Sequence, residues 1–187
     1  MVGVAALFFS LEAYFIAGVQ LVVYAGAGNM IVEPDPDLIR RAAEEGLFVS
    51  GHSAHVGIRG ALYSPDDLSS DAELGFTVVH CRELQTRTVA DVVAQLQQTI
   101  GDHPLYVSID IDVLDPAHAP GTGTPEIGGL TSRELLEVVR GFDGLNLVGA
   151  DIVEVAPAYD HAELTGIAAA FLAYEFLALL GRARSRT

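Results

Sequence analysis

Apolar positions along this chain follow two rhythms, and the switches between them predict its elements. Leu105 to Ile109 is a short apolar run of the kind that makes a strand buried on both faces. Ala54 to Arg59, closed by Gly60, reads as another strand, as do Gly75 to His80 and Leu145 to Ile152. Elsewhere the spacing becomes helical. Thr88 with Asp91 forms a capping box ahead of a helix whose Val89, Val92, Val93, Leu96 and Ile100 share one face. Thr131 with Glu134 forms a second box, opening a helix that buries Leu135, Leu136, Val138 and Val139 and ends near Gly141. Asp35 or Asp37 caps a short helix, Leu38 to Glu45, stopped at Gly46, and Ser64 to Asp71 is a loop or one helical turn. Leu164 to Leu180 is apolar nearly all round, interrupted by Glu175, which suits a core or a subunit interface better than lipid. Strands alternating with helices over short links predict an α/β fold, its sheet mostly parallel with helices on both faces.

Residues 1–32 stand apart from residues 33–187. No charge occurs from Ala13 to Val32, and Glu12 is the only charge before them. By length that stretch borders on a membrane span. However, no Lys or Arg precedes Arg40, so the basic start of a signal peptide and a positive-inside anchor are both missing. Ala25 to Asn29 reads as a turn. Buried strands or a displaced core segment are expected here, and a membrane is not an expected partner.

Composition narrows the picture. The 187 residues suit one domain with a sizeable core, half of them hydrophobic and 19 of them Gly. Net charge is −15, and every basic residue is Arg. Such a surface repels nucleic acid and anionic membrane and favours small cationic ligands, or else reflects an acidic solubility style. Cys81 stands alone, so an intrachain disulfide is excluded and a reducing compartment, the cytoplasm, is expected.

Chemistry concentrates where the Leu105 strand ends. Asp110 and Asp112 interrupt the apolar run and point to one side if the strand continues that far. Two carboxylates at a buried strand end are costly to desolvate unless a cation holds them, and a hard divalent metal suits oxygen ligands. The Pro and Gly residues from Pro116 to Gly129 impose a shaped loop. Glu154 follows the next strand, so Asp110, Asp112 and Glu154 all fall at strand carboxyl ends, where parallel sheets place their sites. Asp115 reads as a loop-stabilising acid. His118 lies in the loop, either against substrate or as a plain loop histidine. His52 and His55 have metal-compatible spacing but read as surface residues at a strand start. His161 reads as hydrogen-bonded structure. His80 beside Cys81 lacks a companion Cys, and Cys81 reads as a small buried residue.

The segment Ser108 to Gly129, SIDIDVLDPAHAPGTGTPEIGG, closely resembles the C-terminal motif of the ureohydrolase family of arginases, agmatinases and guanidino-acid hydrolases. The resemblance continues through RRAAEEGL at Arg40, VGIRG at Val56, SPDD at Ser64 and DIVEVAPAYDHAELT at Asp151, and its wording is nearest the agmatinase branch. It implies a three-layer αβα, arginase-like fold, a binuclear manganese site, and assembly as a trimer or hexamer. In that pattern Asp110 matches the metal-bridging carboxylate and Asp112 a carboxylate on one metal. Glu154 matches the acid that pairs with the guanidinium of a small cationic substrate. The implied reaction is attack of metal-activated hydroxide on the guanidinium carbon, releasing urea and an amine.

The departures are equally specific. The family's other ligands come from a Gly-Gly-Asp-His segment and an Asp-Ala-His-x-Asp strand, and neither motif is present. The segment that precedes the family's RRA helix, and carries a proton-relay His, is replaced by EPDPD at Glu33 to Asp37. The expectation is a truncated or frame-shifted start, so that residues 33–187 form the C-terminal part of the domain and residues 1–32 replace the rest. An alternative is an inactive family remnant serving as a regulatory or assembly subunit.

Overall fold

The computed structural model describes residues 45–46, 48–60 and 72–185, together with the backbone of residues 19–23. Among the described residues, five parallel strands form one sheet in the order β3-β2-β1-β4-β5. They are β1 Val19–Val23, β2 Ser53–Ile58, β3 Phe76–His80, β4 Leu105–Asp110 and β5 Leu147–Val153. The centre of the sheet comes from the uncharged N-terminal stretch, where Leu21 pairs with Ala54 and Val22 with Ser108. For residues 19–23 the expected strand is therefore present. The turn at Ala25 to Asn29, nearly all of the Leu38 helix and the Ser64 loop lie outside the described residues.

Among the described residues, three α-helices follow the sequence rhythm: α1 Val89–Ile100, α2 Ser132–Arg140 and α3 Leu164–Arg184. Both capping boxes form. Thr88 Oγ1 accepts from Asp91 N at 3.2 Å, and Thr131 Oγ1 from Glu134 N at 3.2 Å. Each cap contributes about 1 kcal/mol by satisfying an amide the helix cannot. The β3-to-β4 and β4-to-β5 crossovers run the same way across the sheet, and right-handed connections put their helices on one face. Accordingly α1 packs on α2 and α2 on α3. The core lies between sheet and helices, where Val92, Leu96, Ile100, Leu135, Val138 and Val139 meet Leu105, Val107 and Ile109.

Three expectations need correction. First, β4 is not buried on both faces: Leu105, Val107 and Ile109 are fully buried, whereas Tyr106, Ser108 and Asp110 are only partly so. β5 sets Asp151 beside Ser108 on that face, and the hydroxyls of Tyr106 and Ser108 each donate to its carboxylate at 2.6 Å. A carboxylate with two hydroxyl donors cannot be sealed into an apolar layer without a large desolvation cost. Second, β5 begins at Leu147 rather than Leu145, because Leu145 N bonds Phe142 O at 3.1 Å and closes a turn. Third, His55 is not a surface residue. It is 6% exposed within β2 and stacks on Phe76 with centroids 4.7 Å apart, and His52 just before it is half-buried.

α3 buries Thr165, Leu172, Phe176 and Leu179, and it packs on β5 and α2. Glu175 bonds Arg140 at 2.5 Å and Arg182 faces Asp143 at 3.4 Å. By length and composition α3 is long and apolar enough to cross a membrane. The expected core packing holds for one face only; its opposite face exposes Leu164, Ile167, Phe171, Tyr174 and Leu177.

Candidate active site

β2 makes room for the site. Gly57 has φ +90° where the β2–β3 register shifts, and a Cβ there would lie 2.4 Å from Val113 Cγ2. Only a glycine lets the turn after β4 rest directly on β2. That turn decides where the carboxylates go. β4 stops at Asp110, and Ile111–Val113 enters a 3-10 turn at once. Strand alternation therefore does not carry Asp110 and Asp112 to one side, and the turn draws Asp112 inward until it is 2% exposed.

Arg59, at the end of β2, clamps this turn. Its Nη2 donates to Asp112 O at 2.5 Å, to Glu126 O at 2.7 Å and to Leu114 O at 3.3 Å. One cation thus joins the Asp112 turn to the Pro- and Gly-rich loop. The loop has no helix or strand of its own and is tied at both ends. Asp115 N bonds Leu130 O at 2.9 Å, and the Asp115 carboxylate accepts from Ala117 N at 3.0 Å and Gly128 N at 2.9 Å. These bonds, from Ala117 first, hold Asp115 below its ordinary value, as fits a loop-stabilising acid. Farther along, Gly121 N bonds Thr165 Oγ1 at 2.7 Å, and Thr124 donates its hydroxyl to Asp112 Oδ2.

Glu154 closes the group from β5. Asp110 pairs with Val153, so Glu154 lies one residue beyond the position beside Asp110. Its φ of +64° is unusual for a residue with a side chain and stores about 1–3 kcal/mol of strain. A hydrogen bond from Thr122 Oγ1 to Glu154 O at 3.0 Å helps hold it there. The strained acid is exposed and stands beside a part-buried Asp110 and a buried Asp112.

The electrostatics agree. Burial, with Asp112, Glu154 and Asp151 nearby, pushes Asp110 up to about 8. Burial also raises Asp112, to about 6, against the lowering effect of the Thr124 bond and of Arg59. Asp112 Oδ2 is taken by Thr124, while its buried Oδ1 has no hydrogen-bond partner. Repelling carboxylates with an unclaimed buried oxygen fit a hard divalent cation. Among the described residues, however, no three His, Cys, Asp or Glu side chains converge on one point, so these acids by themselves would supply only part of a coordination shell.

Asp110, Asp112 and Glu154 are thus brought into mutual electrostatic reach, whereas His118 is placed differently. It lines an apolar groove between the heads of α2 and α3 and acts electrostatically on Asp115. His161 is exposed. Cys81 is half-buried, donates to Gly57 O at 3.1 Å, and is raised chiefly by burial. Three contributors carried no role in the sequence reading. Arg59, Thr124 and Asp151 all stand within the motifs quoted above, but only the fold shows what each touches.

Comparison with known proteins bears on the family and the fold. The arginase family model matches residues 37–179. Over 136 residues the chain is 52% identical to an agmatinase of Escherichia coli K12, covering 73% of this chain and 42% of that protein. It is 47% identical to a guanidinopropionase of Pseudomonas aeruginosa over 148 residues, 79% of this chain and 46% of the relative. Among solved structures, the proclavaminate amidino hydrolase of Streptomyces clavuligerus superposes with TM-score 0.77 at 36% identity, covering 89% of this chain and 56% of that one. A hypothetical agmatinase from Burkholderia thailandensis gives 0.74 at 37% identity, with 89% and 51% covered. The chain therefore spans less than half the length of these two relatives and slightly more than half of the two solved chains. The parallel α/β fold expected from the sequence is the one these structures share, and the chain belongs to the arginase family.

Proposed function

We propose that this chain forms one wall of an agmatinase-like ureohydrolase site, which hydrolyses a guanidino compound to urea and an amine. The observation that carries the reading is that part-buried Asp110, buried Asp112 and a strained Glu154 lie within electrostatic reach of one another at the ends of adjacent strands. Asp110 and Asp112 would hold divalent metal, manganese by family resemblance, with Thr124 orienting Asp112 so that Oδ1 faces the ion. When bound, the metal supplies Lewis-acid activation of water at neutral pH. Glu154 would accept paired hydrogen bonds from the planar guanidinium and fix its carbon for attack. The chain's charge of −15 draws such a cationic substrate inward. A single cysteine suits work in the cytoplasm.

The test is metal content together with urea release over a panel of agmatine, guanidinopropionate and arginine. Glu154→Gln should keep metal binding and lose urea release, whereas Asp110→Asn should lose both. Metal binding unchanged in Asp110→Asn would refute the assignment. That these acids by themselves would supply only part of a coordination shell favours a second reading, a non-catalytic assembly subunit. On that reading the 187-residue protein binds manganese weakly, releases little urea, and co-purifies with an intact family member.

A further inference from the structure

The amino ends of the strands carry a second group of metal-ligating side chains, apart from the acids. The sequence sets His52 nearest to His55, but the fold stacks His55 on Phe76 and brings His52 against His103 instead. The two rings lie with centroids 4.2 Å apart and planes tilted by 58°. His52 directly precedes β2 and His103 stands two residues before β4, so both mark the edge where those strands begin. Asp110 ends β4, about 20 Å away along a strand of this length. Three features at this edge suit a cation. His52 Nδ1 lies 2.6 Å from Thr99 O, and a carbonyl only accepts, so Nδ1 carries the proton and Nε2 keeps a lone pair when the ring is neutral. A backbone carbonyl behind one ring nitrogen is the arrangement that orients metal-ligating histidines. Thr99 belongs to the last turn of α1, whose carbonyls carry partial negative charge, and the exposed Asp102 adds to it. Both histidines are half-buried and so open to solvent on one side. Among the described residues His103 makes no hydrogen bond, which leaves its ring able to turn toward the same point.

Ring spacing selects the ion. An imidazole places its centroid about 3.2 Å from a metal it binds, so a right-angled pair has centroids about 4.5 Å apart and a tetrahedral pair about 5.2 Å. The observed 4.2 Å is nearer the right angle of square-planar and tetragonal ions. We propose that His52 and His103 form a two-imidazole site for divalent copper or nickel, with water at the remaining positions. The bound ion staples the start of β2 to the start of β4 and the end of α1. Those segments are joined only through chain that runs from Ser53 to Pro104, so one ion closes a long loop. Imidazole nitrogen suits copper and nickel, whereas a harder ion such as manganese goes to carboxylate oxygen. The inference is therefore independent of any reading of the acidic site.

Cu2+ titrated into the chelator-treated 187-residue protein should saturate at one equivalent, with an electron paramagnetic resonance spectrum carrying nitrogen couplings from two imidazoles. His103→Gln and His52→Gln should each weaken binding by more than about tenfold and reduce the couplings to one imidazole, with the circular dichroism spectrum unchanged. Asp110→Asn should leave the copper spectrum as it is in the wild type. Cu2+ should also raise the thermal midpoint of the wild type and not that of His103→Gln, because only an ion bound to the folded state stabilises it. A wild-type spectrum with a single imidazole, a two-imidazole spectrum that survives His103→Gln, or the absence of saturable binding would overturn the proposal. Loss of the signal in Asp110→Asn would overturn it as well, by assigning the copper to the acids.

Discussion

Replacing Asp110 by Asn should stabilise the metal-stripped protein, because the wild-type carboxyl resists ionisation where it sits. Burial and three neighbouring acids raise it from 3.8 to about 8. A group raised in the folded state contributes fully below its unfolded value, and that contribution is lost as pH climbs through the folded one. Stability of the stripped wild type should therefore fall between about pH 4 and about pH 8 and then level off. At pH 7 the loss from Asp110 amounts to about 4 kcal/mol, since each unit of displacement corresponds to about 1.4 kcal/mol. Asp112, raised to about 6, adds to the same decline but is spent earlier. Asn keeps the shape and cannot ionise, so Asp110→Asn should gain little near pH 4 and the most above about pH 8. Urea melts of both proteins in chelator, across that range, give the difference directly. Manganese should then reverse the order, raising the wild-type midpoint increasingly with pH and leaving Asp110→Asn unmoved. A stripped Asp110→Asn protein less stable than wild type at high pH, or a difference that is flat with pH, would refute the electrostatic account.

Three further outcomes follow from contacts already described. Arg59→Lys should destabilise by about 3 kcal/mol in denaturant melts, because an ammonium cannot replace the planar donors shared among Asp112 O, Leu114 O and Glu126 O. A change under about 0.5 kcal/mol would remove its clamping role. Gly57→Ala should cost about 2–4 kcal/mol, combining a left-handed backbone with a Cβ only 2.4 Å from Val113 Cγ2. A thermal midpoint equal to wild type would contradict it. Glu154→Gly should raise stability by about 1 kcal/mol in the same melts by releasing the φ of +64°. A loss of stability would mean that the position is not strained.

How much of this was legible beforehand depended on the range of the interaction. α1 and α2 were readable because capping boxes and one-face periodicity are written within a dozen residues. The strands were readable as apolar runs, but β5 began two residues late because Leu145 is held by a local turn bond to Phe142. The environment of His55 was not readable, since its stacking partner Phe76 arrives from the next strand. Nor was the placement of His118, which depends on how α2 and α3 pack.

The acidic centre divides the same way. The amino-acid sequence by itself determined which carboxylates stand at strand ends, the family they resemble, and the absence of that family's other ligand motifs. Those are properties of residue order and need no geometry. Tertiary structure alone decided that β4 stops at Asp110, that a 3-10 turn against Gly57 draws Asp112 inward, and that Arg59 and Thr124 hold it there. It also decided that residues 19–23 fill the centre of the sheet and that one face of α3 is left bare. These facts rest on pairings between residues tens of positions apart. The free energy that selects them comes from burial and desolvation shared across the whole core, which no local pattern encodes.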